Sequence, residues 1–102
     1  MSMEILHVYI IDAYDWDNYI EAVEDDTVNF DVSAVGFSVR IRNNGAGDNS
    51  TVTLKDTDEN VLEEHTQYVD ENSEVSVSFD NDGNYYFLPD GETKTWIFEV
   101  TP

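Results

Sequence analysis

Between Asp12 and Tyr19 the chain reads Asp-Ala-Tyr-Asp-Trp-Asp-Asn-Tyr, interleaving aromatic rings with carboxylates. On an extended backbone Tyr14 and Trp16 share one face, and Asp15 and Asp17 share the other. Such an arrangement offers two chemistries. Tyr14, Trp16 and Tyr19 form an aromatic platform for a sugar or a partner surface, and Asp12, Asp15 and Asp17 supply hard oxygen ligands suited to Ca2+. The plainer reading, in which Trp16 and Tyr19 close one end of the core, is the stronger of the two. A second acidic stretch, Asp80-Asn81-Asp82-Gly83-Asn84, has the look of a calcium loop. Counting that places Gly83 at the sixth position leaves Ser78 first and Pro89 where a bidentate glutamate belongs, so an EF-hand is not expected.

The remaining candidates are sparse. His7 lies in an apolar run and reads as structural, while His65 has no nearby serine motif or cysteine partner that would suggest a triad. With 23 acidic residues, any carboxylate pair of the glycosidase kind is unspecific. No enzyme activity is expected. Asn49-Ser50-Thr51 fits the N-glycosylation sequon, is expected in a turn, and matters only on an exported chain. Arg40 and Arg42 stand out for a different reason: they are two of only four basic residues, and they fall on the polar side of the most regular strand.

Charge is the strongest compositional signal. Against 23 Asp and Glu stand four Lys and Arg, a formal net charge of −19 over 102 residues. Self-repulsion of that size destabilises a small fold in dilute buffer. In about 1 M salt the Debye length falls to about 3 Å, and the same carboxylates serve to keep the protein hydrated. A halophilic source is therefore expected. Nucleic acid is not, because phosphate contacts need a basic stripe. The chain has no cysteine, so disulfides and thiolate chemistry are unavailable. Its start, Met-Ser-Met-Glu-Ile-Leu-His-Val, lacks the features of a signal peptide, and no apolar run approaches the ~20 residues of a membrane helix. Cytoplasmic synthesis of a soluble product, with no membrane insertion, is the expectation.

Period-two alternation dominates the pattern, and 102 residues suffice for one domain. Val35, Phe37, Val39 and Ile41 share one face of a strand; Gly36, Ser38, Arg40 and Arg42 share the other. Asn43-Asn44-Gly45-Ala46-Gly47 must end it, being tolerant of positive φ. Upstream, Val28, Phe30 and Val32 carry the opposite parity, which predicts a bulge or corner at Ser33-Ala34 and two separate elements. Further strands are predicted over Glu4 to Asp12 (well buried), Ser50 to Lys55, Asn60 to Val69, Val75 to Phe79, Tyr85 to Leu88 and Thr93 to Val100. In the Asn60 to Val69 strand, Leu62 with Tyr68 competes with Val61 and Val69 for the core. Short strands punctuated by turn residues every eight to twelve positions predict an all-β, antiparallel, immunoglobulin-like β-sandwich of seven to eight strands, spanning residues 1–102 as one domain.

The run Val39-Arg40-Ile41-Arg42-Asn43-Asn44-Gly45, followed by Val52-Thr53-Leu54, resembles the strand, Asn-x-Gly turn and next strand of CARDB-type (cell-adhesion-related) domains of archaea and bacteria. Val69 through Glu74 to Phe79, and Leu88-Pro89-Asp90-Gly91-Glu92-Thr93-Lys94-Thr95-Trp96-Ile97-Phe98, resemble the family's later turn-and-strand units. The resemblance covers about residues 35–100. It implies a seven- or eight-stranded sandwich used in adhesion, spacing or assembly, and it implies no active site. Here the acidic turn Glu24-Asp25-Asp26 lies further upstream than the family's glycine turn, and the chain is expected to stand alone without a leader.

Taken together, these features predict a non-enzymatic structural or interaction module of a surface assembly in a halophile. A small virion component, such as a decoration, turret or tail protein, fits best. Its partners would be other proteins of the assembly, with copies of itself as one option through exposed strand edges. The alternatives are a cell-surface adhesion domain and a carbohydrate- or calcium-binding module. Arg40 and Arg42 mark the first surface to test, for an internal acid pair or for the docking of an acidic neighbour.

Overall fold

A computed structural model describes residues 3–12, 19–20, 27–30, 34–80 and 92–101. Those residues are all-β, without helix. Six long strands, β1 (Met3–Asp12), β4 (Ala34–Asn43), β5 (Asp48–Lys55), β6 (Val61–Val69), β7 (Ser73–Phe79) and β8 (Lys94–Thr101), are joined by two short segments, β2 (Tyr19–Ile20) and β3 (Thr27–Phe30). They form two sheets of order β2-β1-β4-β7 and β3-β8-β5-β6, and every pairing is antiparallel.

Alternation determines which side of each strand is buried. Phe37, Val39 and Ile41 of β4 and Val77 and Phe79 of β7 face Val52 and Leu54 of β5 and Trp96, Phe98 and Val100 of β8, all at most 4% exposed. Rings hold the layers together: Phe37 and Phe79 meet Phe98 edge-on at 5.3 and 5.7 Å between centroids, and Phe37 lies 5.9 Å from Trp96. Each such pair contributes about 0.5–1.5 kcal/mol beyond its area burial.

The predicted parity break has a counterpart in the register. Ile11 pairs with Gly36 and Asp12 with Ala34, so the ladder skips Val35, just after Ser33-Ala34. The segment before it, β3, joins the other sheet through β8, confirming two elements rather than one long strand. Strand β1 departs from its expectation. It is not buried throughout: a bulge between Ile5 and His7 switches its parity, so Met3 and Ile5, then Val8 and Ile10, point inward while Tyr9 remains 41% exposed. The predicted strand at Tyr85 to Leu88, and the hairpin signal from Asn81 to Asn84, lie outside the described residues.

Polar side chains shape the turns. Asn43, fully buried, donates from Nδ2 to the carbonyls of Ala46 (2.8 Å) and Val69 (3.0 Å), and its Oδ1 accepts from Gly45 N–H (2.8 Å). One carboxamide thus folds the Asn44–Gly47 turn and ties the end of β4 to the end of β6 in the opposite sheet. Asp56 organises the β5–β6 hairpin by accepting from Asp58 N, Asn60 N and Asn60 Nδ2 at 2.9, 2.9 and 3.0 Å. These bonds, the Asn60 side chain first, hold its carboxyl below the usual carboxylate range. Glu59 and Asn72 adopt positive φ (65° and 55°) in the turns before β6 and β7, a conformation Asn tolerates better than Glu.

Candidate interaction surface

The outer face of the first sheet is built by the side of β4 that alternates away from the core. Its register opposite β7 sets Arg40 beside Ser76 and Arg42 beside Glu74. Both guanidiniums reach Glu74: Arg40 Nε lies 3.3 Å from Oε1, and Arg42 Nη1 lies 3.3 Å from Oε2. Arg40 Nη1 also donates to Ser76 Oγ (3.1 Å), and Arg42 Nε to Asn44 Oδ1 (2.8 Å). The sequence left open an internal acid pair or an external one, and the structure supplies the internal one. All three charged side chains are about one-third exposed (36%, 32% and 37%), so each ion pair adds only about 0–1 kcal/mol. What the contacts do is fix two guanidiniums in place on an open sheet surface. On the other side of β4, His7 and Tyr9 occupy the register positions of Arg40 and Ser38, with their rings edge-to-face at 4.9 Å. His7 therefore belongs to this outer surface and not to the core.

A second cluster escaped sequence reasoning. Because Val52 and Leu54 point inward, their register partners on β6, His65 and Glu63, must point inward too. His65 packs edge-on against Phe79 at 4.8 Å, its Nε2 pairs with Glu63 Oε2, and that same oxygen accepts from the backbone N–H of Asp80 at 3.3 Å. Glu63 is only 13% exposed at its side chain. The pair links edge strand β6 to the end of β7 across the layers. Only the known register of β5 reveals it, since Val69 alone represents the apolar pattern on that face of β6; of the two sets competing for the core, Leu62 and Tyr68 are exposed, and so is Val61, so that Val69 alone is buried.

The outer face of the second sheet is rich in hydroxyls and paired charge: Thr51 with Thr66 (2.9 Å), Thr53 with Glu64 (3.2 Å) and Lys55 with Glu99 (3.0 Å). Asn49 is exposed here, as the second residue of β5 and register partner of Tyr68, not in a turn as its sequence context predicts. The ladder to β6 extends β5 back to Asp48 and so draws the sequon into the strand. Lys94 sits 5.5 Å from the centroid of the Trp96 ring, so each of the four basic residues has an anionic or aromatic neighbour.

The aromatic and acidic candidates fare differently. Tyr14, Asp15, Trp16 and Asp17 lie outside the described residues. Asp12 ends β1 opposite Ala34 and Tyr19 opens β2 opposite Tyr9, with side chains outside the description. Among the described residues no group of three or more His, Asp or Glu is placed to hold a metal ion, and no helix is long and apolar enough to cross a membrane. Comparison with known proteins finds no matching family model, no similar curated protein and no similar solved structure.

Proposed function

We propose that the protein is a non-enzymatic interaction module, a small component of a larger protein assembly in a salt-rich setting, with a virion decoration, turret or tail role the best fit. The observation that carries this reading is the Arg40–Glu74–Arg42 cluster. In a chain of net charge −19, two of the four cations stand on an exposed sheet face and are held in position by Glu74, Ser76 and Asn44. Guanidiniums fixed in this way recognise carboxylates with defined geometry. Acidic surfaces are what neighbouring proteins adapted to high salt would present.

Strand order supports an immunoglobulin-like version of the fold. β1, β4 and β7 stand as A, B and E, while β5 and β8 stand as C and F, with β6 extending the sheet beyond C. The place beside F usually taken by the last strand is filled by β3, from early in the chain. A CARDB-type relationship remains part of the proposal, as a spacing or docking use of the same fold.

Photo-crosslinking tests the reading. A photoreactive residue at Ser38, on the face of Arg40 and Arg42, is expected to couple in a high-salt extract of the source organism to an acidic segment of a second protein. That product should be lost when Arg40→Ala and Arg42→Ala are combined. Equal coupling by the double variant would overturn the assignment of the surface.

A further inference from the structure

We infer that a second copy of this chain adds to the outer edge of β6, antiparallel and in a register centred on His65. This edge is distinct from the Arg40–Arg42 face and does not depend on the reading of it.

Strand β6 ends its sheet, and among the described residues its ladder partner is β5 alone. Of the four exposed large hydrophobic side chains there, Val61, Leu62 and Tyr68 all belong to this one strand. An edge strand with apolar side chains is a template for pairing with another chain. The sequence Val-Leu-Glu-Glu-His-Thr-Gln-Tyr-Val is close to self-complementary about its centre. A two-fold axis at His65 sets Leu62 opposite Tyr68 of the other copy, twice, both of them exposed. An aromatic facing a branched aliphatic residue is among the favourable cross-strand pairs.

Charge selects the same register. About His65, Glu64 faces Thr66 and Glu63 faces Gln67, so no carboxylate opposes another. Moving the axis to Glu64 would set Glu64 against Glu64; moving it to Thr66 would set Leu62 against Asp70 and Glu64 against Tyr68. An axis between residues would oppose outward side chains to inward ones, a mismatch that a two-faced sheet does not tolerate. Each copy carries −19, so association requires screening and belongs to about 1 M salt, where the Debye length is about 3 Å.

The chain lacks cysteine, which makes the register directly readable. In about 1 M KCl, Leu62→Cys and Tyr68→Cys proteins are oxidised separately and as a mixture. The mixture should give a cross-linked dimer in several-fold higher yield than either alone. In sedimentation equilibrium the otherwise unaltered chain should be dimeric, and Leu62→Lys should weaken the dimer about tenfold with an unchanged circular dichroism spectrum. A monomer at about 0.1 mM in that salt would overturn the proposal, and so would equal cross-linking by either cysteine variant alone. Hydrogen exchange supplies the last arm: β6 amides that remain protected at monomeric dilution on both edges would assign the outer edge to another segment of the same chain and overturn it as well.

Discussion

Replacing Asn43 by alanine should be among the most damaging polar substitutions in this protein. The carboxamide is fully buried and serves three backbone groups: the carbonyls of Ala46 and Val69 and the N–H of Gly45. Truncation leaves all three without this partner. At about 1 kcal/mol for each net hydrogen bond, the loss is about 3 kcal/mol, or about a hundredfold in the folding constant. Against a total stability of about 5–15 kcal/mol for a domain this size, that is a large share. Urea denaturation at constant high salt measures it, and an unchanged slope would show that the two states compared are the same. Asn43→Asp keeps the acceptor for Gly45 but turns a carboxylate toward two carbonyls, and should cost at least as much. Exposed Asn49→Ala should stay within about 0.5 kcal/mol. A loss below about 1 kcal/mol for Asn43→Ala, or an Asn43→Asp protein as stable as the parent, would refute the view that this side chain ties β4 to β6.

Three further outcomes follow from the same contacts. A Cβ at Gly36 would collide with the carbonyl oxygen of Phe79 and come within 3.5 Å of Asp80 Cα, all backbone, whereas one at Gly47 would meet only the Tyr68 phenol, which is 56% exposed and free to swing outward; Gly36→Ala should therefore cost about 1–3 kcal/mol and Gly47→Ala less than about 1 kcal/mol in the same denaturation assay. By NMR titration the Asp56 carboxyl should lose its charge below the usual carboxylate range, so the stability it contributes is present above that range and is lost as pH falls through the lowered folded-state pKa; Asn60→Ala should move the titration upward, and an unshifted midpoint in the parent protein would contradict the hydrogen-bond assignment. Thermal unfolding followed by circular dichroism should shift to higher temperature as KCl rises from about 0.05 M to about 2 M, and superimposable curves would remove the argument from net charge.

The residues that announced the fold did so through period two and turn chemistry. Phe37, Val39 and Ile41 alternate without interruption up to Asn43, and Trp96, Phe98 and Val100 do the same, so their burial was readable before any partner strand was known. The parity change near Ser33-Ala34 was likewise visible, and it corresponds to the register shift at Gly36 and Ala34. What stayed hidden depended on neighbours. Glu63 and His65 are inward only because β5 places Val52 and Leu54 inward, a fact of register and not of local pattern. The bulge in β1 turns an apparently continuous apolar run into two half-faces and leaves Tyr9 outside. Asn43 looked like one more turn residue, and its second role, on Val69 O, needs a strand 26 residues away. Arg40 and Arg42 were singled out by rarity and facing, while the carboxylate that joins them, Glu74, could not be chosen from 23 acids without the β4–β7 ladder.

Membership of an assembly, through the Arg40–Arg42 face, is tested most directly by where the protein sediments. A high-salt extract of the source organism, resolved on a density gradient, should carry the protein in a fast-sedimenting particle fraction, and the combined Arg40→Ala and Arg42→Ala variant expressed in its place should remain at the top. The unaltered protein found only at the position of free monomer or dimer would contradict the account.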